Sequence, residues 1–209
     1  KGAVSISSAA LAGLSLQMQR HFQCARWLWI ASAQKDNMEA QIKLAYMARD
    51  GRGVQKDDWA AVVWFTRAAF QGSAEAQYNL GVKHLYGQGV VHGNVRRADR
   101  IADAVDWLSL AACNPVPSVL GHVGAQFKLA GIYERGEEGI PKDVKRAIRY
   151  YLAAARQERG QFQPTAKELA AKLTAELETP FALVDPFQEA RDKYMELERL
   201  EETGALRLE

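Results

Sequence analysis

Cysteine, net charge and long apolar runs are all scarce in this chain, and each shortage closes a route. Cys24 and Cys113 are the only two cysteines in 209 residues. Two distant thiols cannot build a framework of several bridges, and they read as buried free cysteines. The 27 basic and 25 acidic side chains leave a formal charge of +2. Acidic residues are spread among the basic ones, so the continuous basic stripe that nucleic-acid binding needs is missing. No run of about 18 apolar residues offers a membrane span. The apolar segment 3–16 has Lys1 as its only preceding charge and reads as a first helix rather than a secretion signal. What is present, 48% hydrophobic and 25% charged residues, suits a globular chain with a continuous core. The compartment stays open between the cytoplasm and a bacterial periplasm or exterior.

Catalytic signatures are also missing. His21, His84, His92 and His122 are scattered, without an H-E-x-x-H arrangement. His84 and His92 approach one another across a turn but have no companion carboxylate or cysteine to complete a metal site. The pairs Gly51/Gly53 and Gly87/Gly89 lack the lysine and hydroxyl of a phosphate loop. Asp57 and Asp58 sit where a helix begins, and capping explains them. No activated nucleophile or oriented base emerges, so neither an enzyme nor a cofactor is expected.

The positive signal is repetition. Ala40, Leu44 and Ala48 recur as Ala76, Leu80 and His84, then as Ala125, Leu129 and Tyr133. The first interval is 36 residues, which suits two helices and their turns. Ala45, Gly81 and Ala130 follow the leucines and let a neighbouring helix approach closely. Gly51, Gly87 and Gly136 end the first helix of each unit. Gly53, Gly89 and Gly139 then shape a tight loop. Asp57 and Asp143 stand at the start of the second helix. That helix carries Ala61, Trp64, Phe65, Ala68 and Ala69, matched by Ala104, Trp107, Leu108, Ala111 and Ala112, and by Ala147, Tyr150, Tyr151, Ala154 and Ala155. The aromatic groups are expected in the core.

The middle unit is stretched to 49 residues by two insertions, "VHGNVRRADRIAD" and "NPVPSVLGHVG", both expected as edge loops. The divisions are 1–39, a degenerate hairpin with helices near Leu11–Met18 and Cys24–Ala33, then 40–75, 76–124, 125–163, and a C-terminal capping hairpin at 164–209. That hairpin pairs a helix at Ala166–Glu178 with one at Phe187–Leu200.

The pattern A-x-x-x-L-G-x-x-Y-x-x-G-x-G-V, then K-D, then A-x-x-W-Y/F-x-x-A-A, resembles the Sel1-like repeat family, a relative of the tetratricopeptide class. Residues 40 to 155 carry it, with Ala45 in place of Gly and Ala48 and His84 in place of Tyr. The resemblance implies an all-α, right-handed superhelix of about five helical hairpins that serves as a scaffold or adaptor for other proteins. The cysteine pair found in each repeat of some bacterial members is not reproduced.

In related repeats the first helices line the concave face. Carried onto this chain, that geometry selects Ile42, Tyr46 and Arg49, then Tyr78, Val82 and Leu85, then Phe127, Gly131 and Glu134. Ile42, Tyr78 and Phe127 occupy one position in three units, as a ribbon for an extended peptide or helix or as packing between adjacent hairpins. Arg96, Arg97 and Arg100 form a basic cluster that offers a second surface for an acidic partner segment or, with Asp99, Asp103 and Asp106, a self-neutralising one. A structural or regulatory segment of a larger protein is the alternative to the adaptor, and the oligomeric state is open.

Overall fold

The computed structural model describes residues 8–90, 95–113, 121–157 and 163–176, with side chains from His21 onward. Among these residues the order is α1 (Ser8–Ala33), α2 (Met38–Asp50), α3 (Asp58–Phe70), α4 (Ala74–Tyr86), α5 (Arg97–Ala112), α6 (Val123–Arg135), α7 (Val144–Ala155) and α8 (Gln163–Glu176). One isolated bridge joins Glu137 to Ile140. The three repeats become the hairpins α2/α3, α4/α5 and α6/α7, and the all-α repeat architecture is the one that folds.

Each boundary has a local cause. Three different side chains cap the first helices. Asn37 accepts the Ala40 N–H at 2.8 Å, Ser73 that of Ala76 at 3.2 Å, and His122 that of Ala125 at 3.3 Å. Asp57 and Asp143 do the same for α3 and α7, each at 2.9 Å. Gly51 and Gly87 close α2 and α4 at φ of 70° and 68°, in the left-handed region that a side chain resists.

The second glycine of each loop has another task. A Cβ on Gly89 would stand 2.3 Å from the Asp58 carbonyl oxygen, and one on Gly53 would stand 2.2 Å from Phe22 Cβ. These two loops therefore lie against a helix of the preceding unit in contact that leaves no room for a methyl group, whereas a Cβ on Gly139 would meet Ala98 Cβ at an ordinary 3.4 Å. At the Gly89 junction the Lys83 ammonium, only 3% exposed, is paired with Asp58.

Small residues set the helix spacing. Ala45 and Ala130 are fully buried, and a Cβ on Gly81 would press to 2.7 Å from Leu108 Cγ. Phe65, Leu108 and Tyr151 fill the space between helices.

Four expectations change. The N-terminal hairpin is one continuous helix, because no glycine or proline interrupts the sequence from Leu14 to Ala33. The first insertion is helical from Arg97, since Ile101, Ala104, Val105 and Leu108 give it a buried stripe. Trp64 and Trp107 are half-buried rather than core, because the position before each buried Phe65 or Leu108 turns toward the helix edge. Cys24 is exposed and Cys113 half-buried, since neither belongs to the Ala-lined inner stripe. Residues 91–94, 114–120 and the helix expected at 187–200 lie outside the described residues.

Gly72 and Gly89 separate dihedral strain from crowding. Both have positive φ, 88° and 73°, but nothing lies within 4 Å of a Cβ placed on Gly72. Gly72→Ala is expected to cost about 1 kcal/mol, and Gly89→Ala on the order of 3 kcal/mol through added backbone displacement. Urea unfolding of the two variants checks this, and equal losses would disprove the close packing of the Gly89 loop.

Candidate protein-interaction face

Ile42, Tyr78 and Phe127 are all half-buried. Ile42 rests on the cluster around Phe65. Tyr78 stacks on His122 at 4.3 Å between ring centres, and Phe127 meets Tyr151 edge-on at 5.3 Å. Each residue thus packs between neighbouring helices and keeps part of its surface open.

The other residues of this face divide by junction. Between α2 and α4, the Tyr46 hydroxyl donates to the Glu75 carboxylate and accepts from the Asn79 amide at 3.2 Å. Arg49 donates to Asn79 at 3.2 Å, pairs with Asp50 at 2.7 Å, and lies 4.5 Å from the Tyr46 ring centre. Burial first, and then Glu75, push the Tyr46 hydroxyl up to about 12, so it stays a donor at neutral pH.

Val82 and Leu85 stand at the equivalents of Tyr46 and Arg49 in the next unit. Both are half-buried, and Leu85 packs on the large C-terminal core cluster. Beside them Tyr86 is 58% exposed and accepts from the Lys128 ammonium at 3.1 Å. This second junction is therefore mainly apolar. Farther along, Glu134 accepts from the Tyr151 hydroxyl at 2.7 Å.

The arginine cluster is distributed among separate partners. Arg96 pairs with Asp99 at 2.9 Å, Arg97 reaches Glu137 at 3.1 Å, and Arg100 donates to the His84 carbonyl at 3.3 Å. His84 Nδ1 lies 3.3 Å from Asp103, and burial lowers its pKa against the pull of that carboxylate. Among the described residues no group of three or more His, Cys, Asp or Glu is placed to hold a metal, and no helix is long and apolar enough to cross a membrane.

Sequence reasoning passed over a set of buried glutamines. Gln41, Gln77 and Gln126 donate to the carbonyls of Ala33, Ala69 and Ala112 at 3.3, 3.2 and 3.4 Å. An Ala-Gln pair opens all three units, and that recurrence was the available signal. Sequence reasoning also gave no hint of a groove of about 500 Å³ where α1 meets α2, in which Phe22, Ala25, Trp29, Tyr46 and Met47 are flanked by charged side chains including Lys43, Arg49 and Arg52.

Comparison with known proteins matches this geometry. The Sel1 repeat pattern fits residues 39–73, 74–115 and 123–158. A Sel1 repeat protein from Oxalobacter formigenes, known by crystal structure, superposes with a TM-score of 0.54 at 32% identity, over 72% of this chain and 56% of that one. The chitin synthase regulator SKT5 of Saccharomyces cerevisiae is 24% identical over 163 residues, 61% of this chain and 23% of the yeast protein. The ERAD-associated E3 ubiquitin-protein ligase component HRD3A of Arabidopsis thaliana is 30% identical over 80 residues, 38% of this chain and 12% of the plant protein. The chain thus spans under a quarter of either curated relative.

His122 makes this face sensitive to pH. Its Nδ1 accepts the Ala125 N–H, which an imidazolium cannot do. Burial holds its pKa below the usual value, against a weaker opposing pull from Glu75. As pH falls, the unfolded chain takes up this proton first, near pH ~6.5. The stability present above that pH is lost as pH falls through the lower native value, and His84 adds in the same direction. The urea midpoint is expected to drop between pH 7.5 and pH 5, with His122→Asn keeping the cap and narrowing the drop. An unchanged drop in that variant would acquit His122.

Proposed function

The chain belongs to the Sel1 repeat family, and from that premise we propose that it works as a protein-interaction adaptor by binding rather than catalysis. The partner site is the face of α4 and α6, where an extended peptide or a helix of another protein is seated. One observation carries this reading. Tyr78, Val82, Leu85 and Phe127 are all half-buried on that face, beside the exposed Tyr86. Apolar groups held at fixed spacing and left partly open offer a partner several contacts at once, without the cost of ordering the receptor.

Tyr46, Arg49 and Glu134 already hold internal partners, so they frame this strip rather than anchor a ligand. The basic side chains Arg96, Arg97 and Arg100 contribute at most a rim, because each is already engaged. The names of the yeast regulator and the plant ligase component describe proteins that act on or within larger assemblies, which fits an adaptor. A second reading, a structural or regulatory segment of a larger protein, is favoured by the small share of those relatives that the chain spans.

Selection of displayed peptides against the purified chain tests the first reading. Winning sequences should carry a large apolar anchor, and Leu85→Arg should weaken their binding at least about tenfold. Lys145→Ala, on the exposed start of α7, should leave binding unchanged. Peptides that bind Leu85→Arg as well as the native chain would move the site off this face.

A further inference from the structure

We propose that two copies of this chain pair by exchanging the first half of α1, each filling the seat of a missing helix in the other. α1 has 26 residues, whereas the first helices α2, α4 and α6 have 13 each and the second helices α3, α5 and α7 have 12 to 16. α1 is therefore as long as a first and a second helix joined end to end.

The second half of α1 has the credentials of a second helix. Ala25, Trp29 and Ala33 precede Ala61, Phe65 and Ala69 by 36 residues each. Phe22 receives Gly53 as Asp58 receives Gly89. The Ala33 carbonyl accepts from Gln41 as the Ala69 carbonyl accepts from Gln77. The missing first helix should then be the 13 residues before His21, which are the remaining residues of α1, Ser8–Arg20. In the other units a glycine-bearing loop turns the chain back. From Leu14 to Asp50 there is neither glycine nor proline, and α1 runs straight on.

That leaves a seat open. Ala61 and Phe65 are sealed at 0% exposure, but their counterparts Ala25 and Trp29 are half-buried and line the 500 Å³ groove beside Tyr46 and Met47 of α2, with Lys43, Arg49, Asp50, Arg52 and Glu75 also lining it. A first helix of the same hairpin belongs there. The segment that would supply it has no charged side chain from Gly2 to Gln19 and carries Leu11, Leu14, Leu16 and Met18. Such a helix gains its stability from packing.

Continuous with its own second helix, the segment projects about 20 Å beyond it and cannot turn back to its own seat. Two α1 helices laid antiparallel, crossing near Arg20 and His21, bring each first half against the other's second half. Each seat then receives a helix in the antiparallel sense of a closed hairpin, and the arrangement is two-fold symmetric, as exchanged dimers are. This interface lies at the N-terminal end of the stack, away from the α4 and α6 strip, and stands or falls separately from partner binding there.

Light scattering during size-exclusion chromatography of the full chain is expected to give twice the 23.2 kDa chain mass. Ala25→Arg, which puts a charged side chain into the seat, should raise the dimer dissociation constant at least about tenfold. A second variant inserts the loop sequence Gly51–Asp57 between Arg20 and His21. It lets the first half fold back onto its own seat and should be a monomer of undiminished helicity by circular dichroism. If Ala25→Arg fails to fold, the loop variant decides alone. A native chain that stays monomeric overturns the proposal, including one that sediments with lipid vesicles through its uncharged segment. An unchanged dissociation constant in the folded Ala25→Arg variant, or a dimer that persists in the loop variant, overturns it as well.

Discussion

The hydrogen bond from a buried glutamine to the end of the preceding helix is the interaction on which the stack depends. A helix leaves its last carbonyls without partners inside itself. Burying one against the next hairpin costs about 1–3 kcal/mol unless a donor meets it. Gln126 is the donor that meets the Ala112 carbonyl. Gln41 and Gln77 add a second donor to Ala33 and Ala69, whose carbonyls also accept the Asp36 and Gly72 N–H groups. All three reach from the first turn of the next first helix. The same amide also accepts at two of the three junctions. Gln71 donates to Gln41 at 2.7 Å, and Gln157 donates to Gln126 at 3.1 Å. One side chain thereby ties the preceding helix, its own helix and the segment after its hairpin. A polar bond has a preferred direction and distance, which alanine packing alone does not impose.

This explains why the irregular middle unit does no damage. Forty-nine residues separate Ala76 from Ala125 instead of 36, yet Gln126 still finds the Ala112 carbonyl and Gly121 still packs against the same end of α5. The extra residues are accommodated between fixed anchor points. Part of the first insertion becomes a longer α5, because its apolar residues happen to continue the buried stripe. The loops obey the same logic. One glycine ends a helix through its dihedral angles, and the next allows backbone contact with the preceding unit. Sequence periodicity assigns the first glycine to the helix end and the second to the loop's shape, but not to contact with the preceding unit.

A rigid spacing of this kind turns small local differences into different surfaces. Equivalent positions hold Tyr46 and Arg49 at one junction and Val82 and Leu85 at the next. The first pair is occupied by its own neighbours, and the second remains partly open. At the N-terminal end the same stack meets a helix that lacks a turn, and an unfilled position results. The proposed partner binding on α4 and α6 and the proposed self-association through α1 therefore draw on one architecture at two places. The first depends on which side chains fill a repeated position, the second on whether a loop interrupts a helix.

The sequence by itself determined the repeat, the helix boundaries of the regular units and the Ala and Leu stripe that faces inward. These depend on neighbours three or four apart and on glycine, asparagine, serine and aspartate acting over a few residues, so periodicity records them. Asp57, Asp143 and Gly51 do what their spacing implies. Only the tertiary structure decided that Arg96, Arg97 and Arg100 go to three different partners, that Tyr46 and Arg49 lock onto α4, and that Trp64 stays half-buried. It also decided that α1 runs through without a turn. These outcomes depend on residues from another unit, often about 30 to 40 positions away, and on the competition between a continuing helix and a reversal that no single residue encodes. Linear spacing carries the stripe a helix will bury, while the identity of what meets that stripe is fixed only when the hairpins stack.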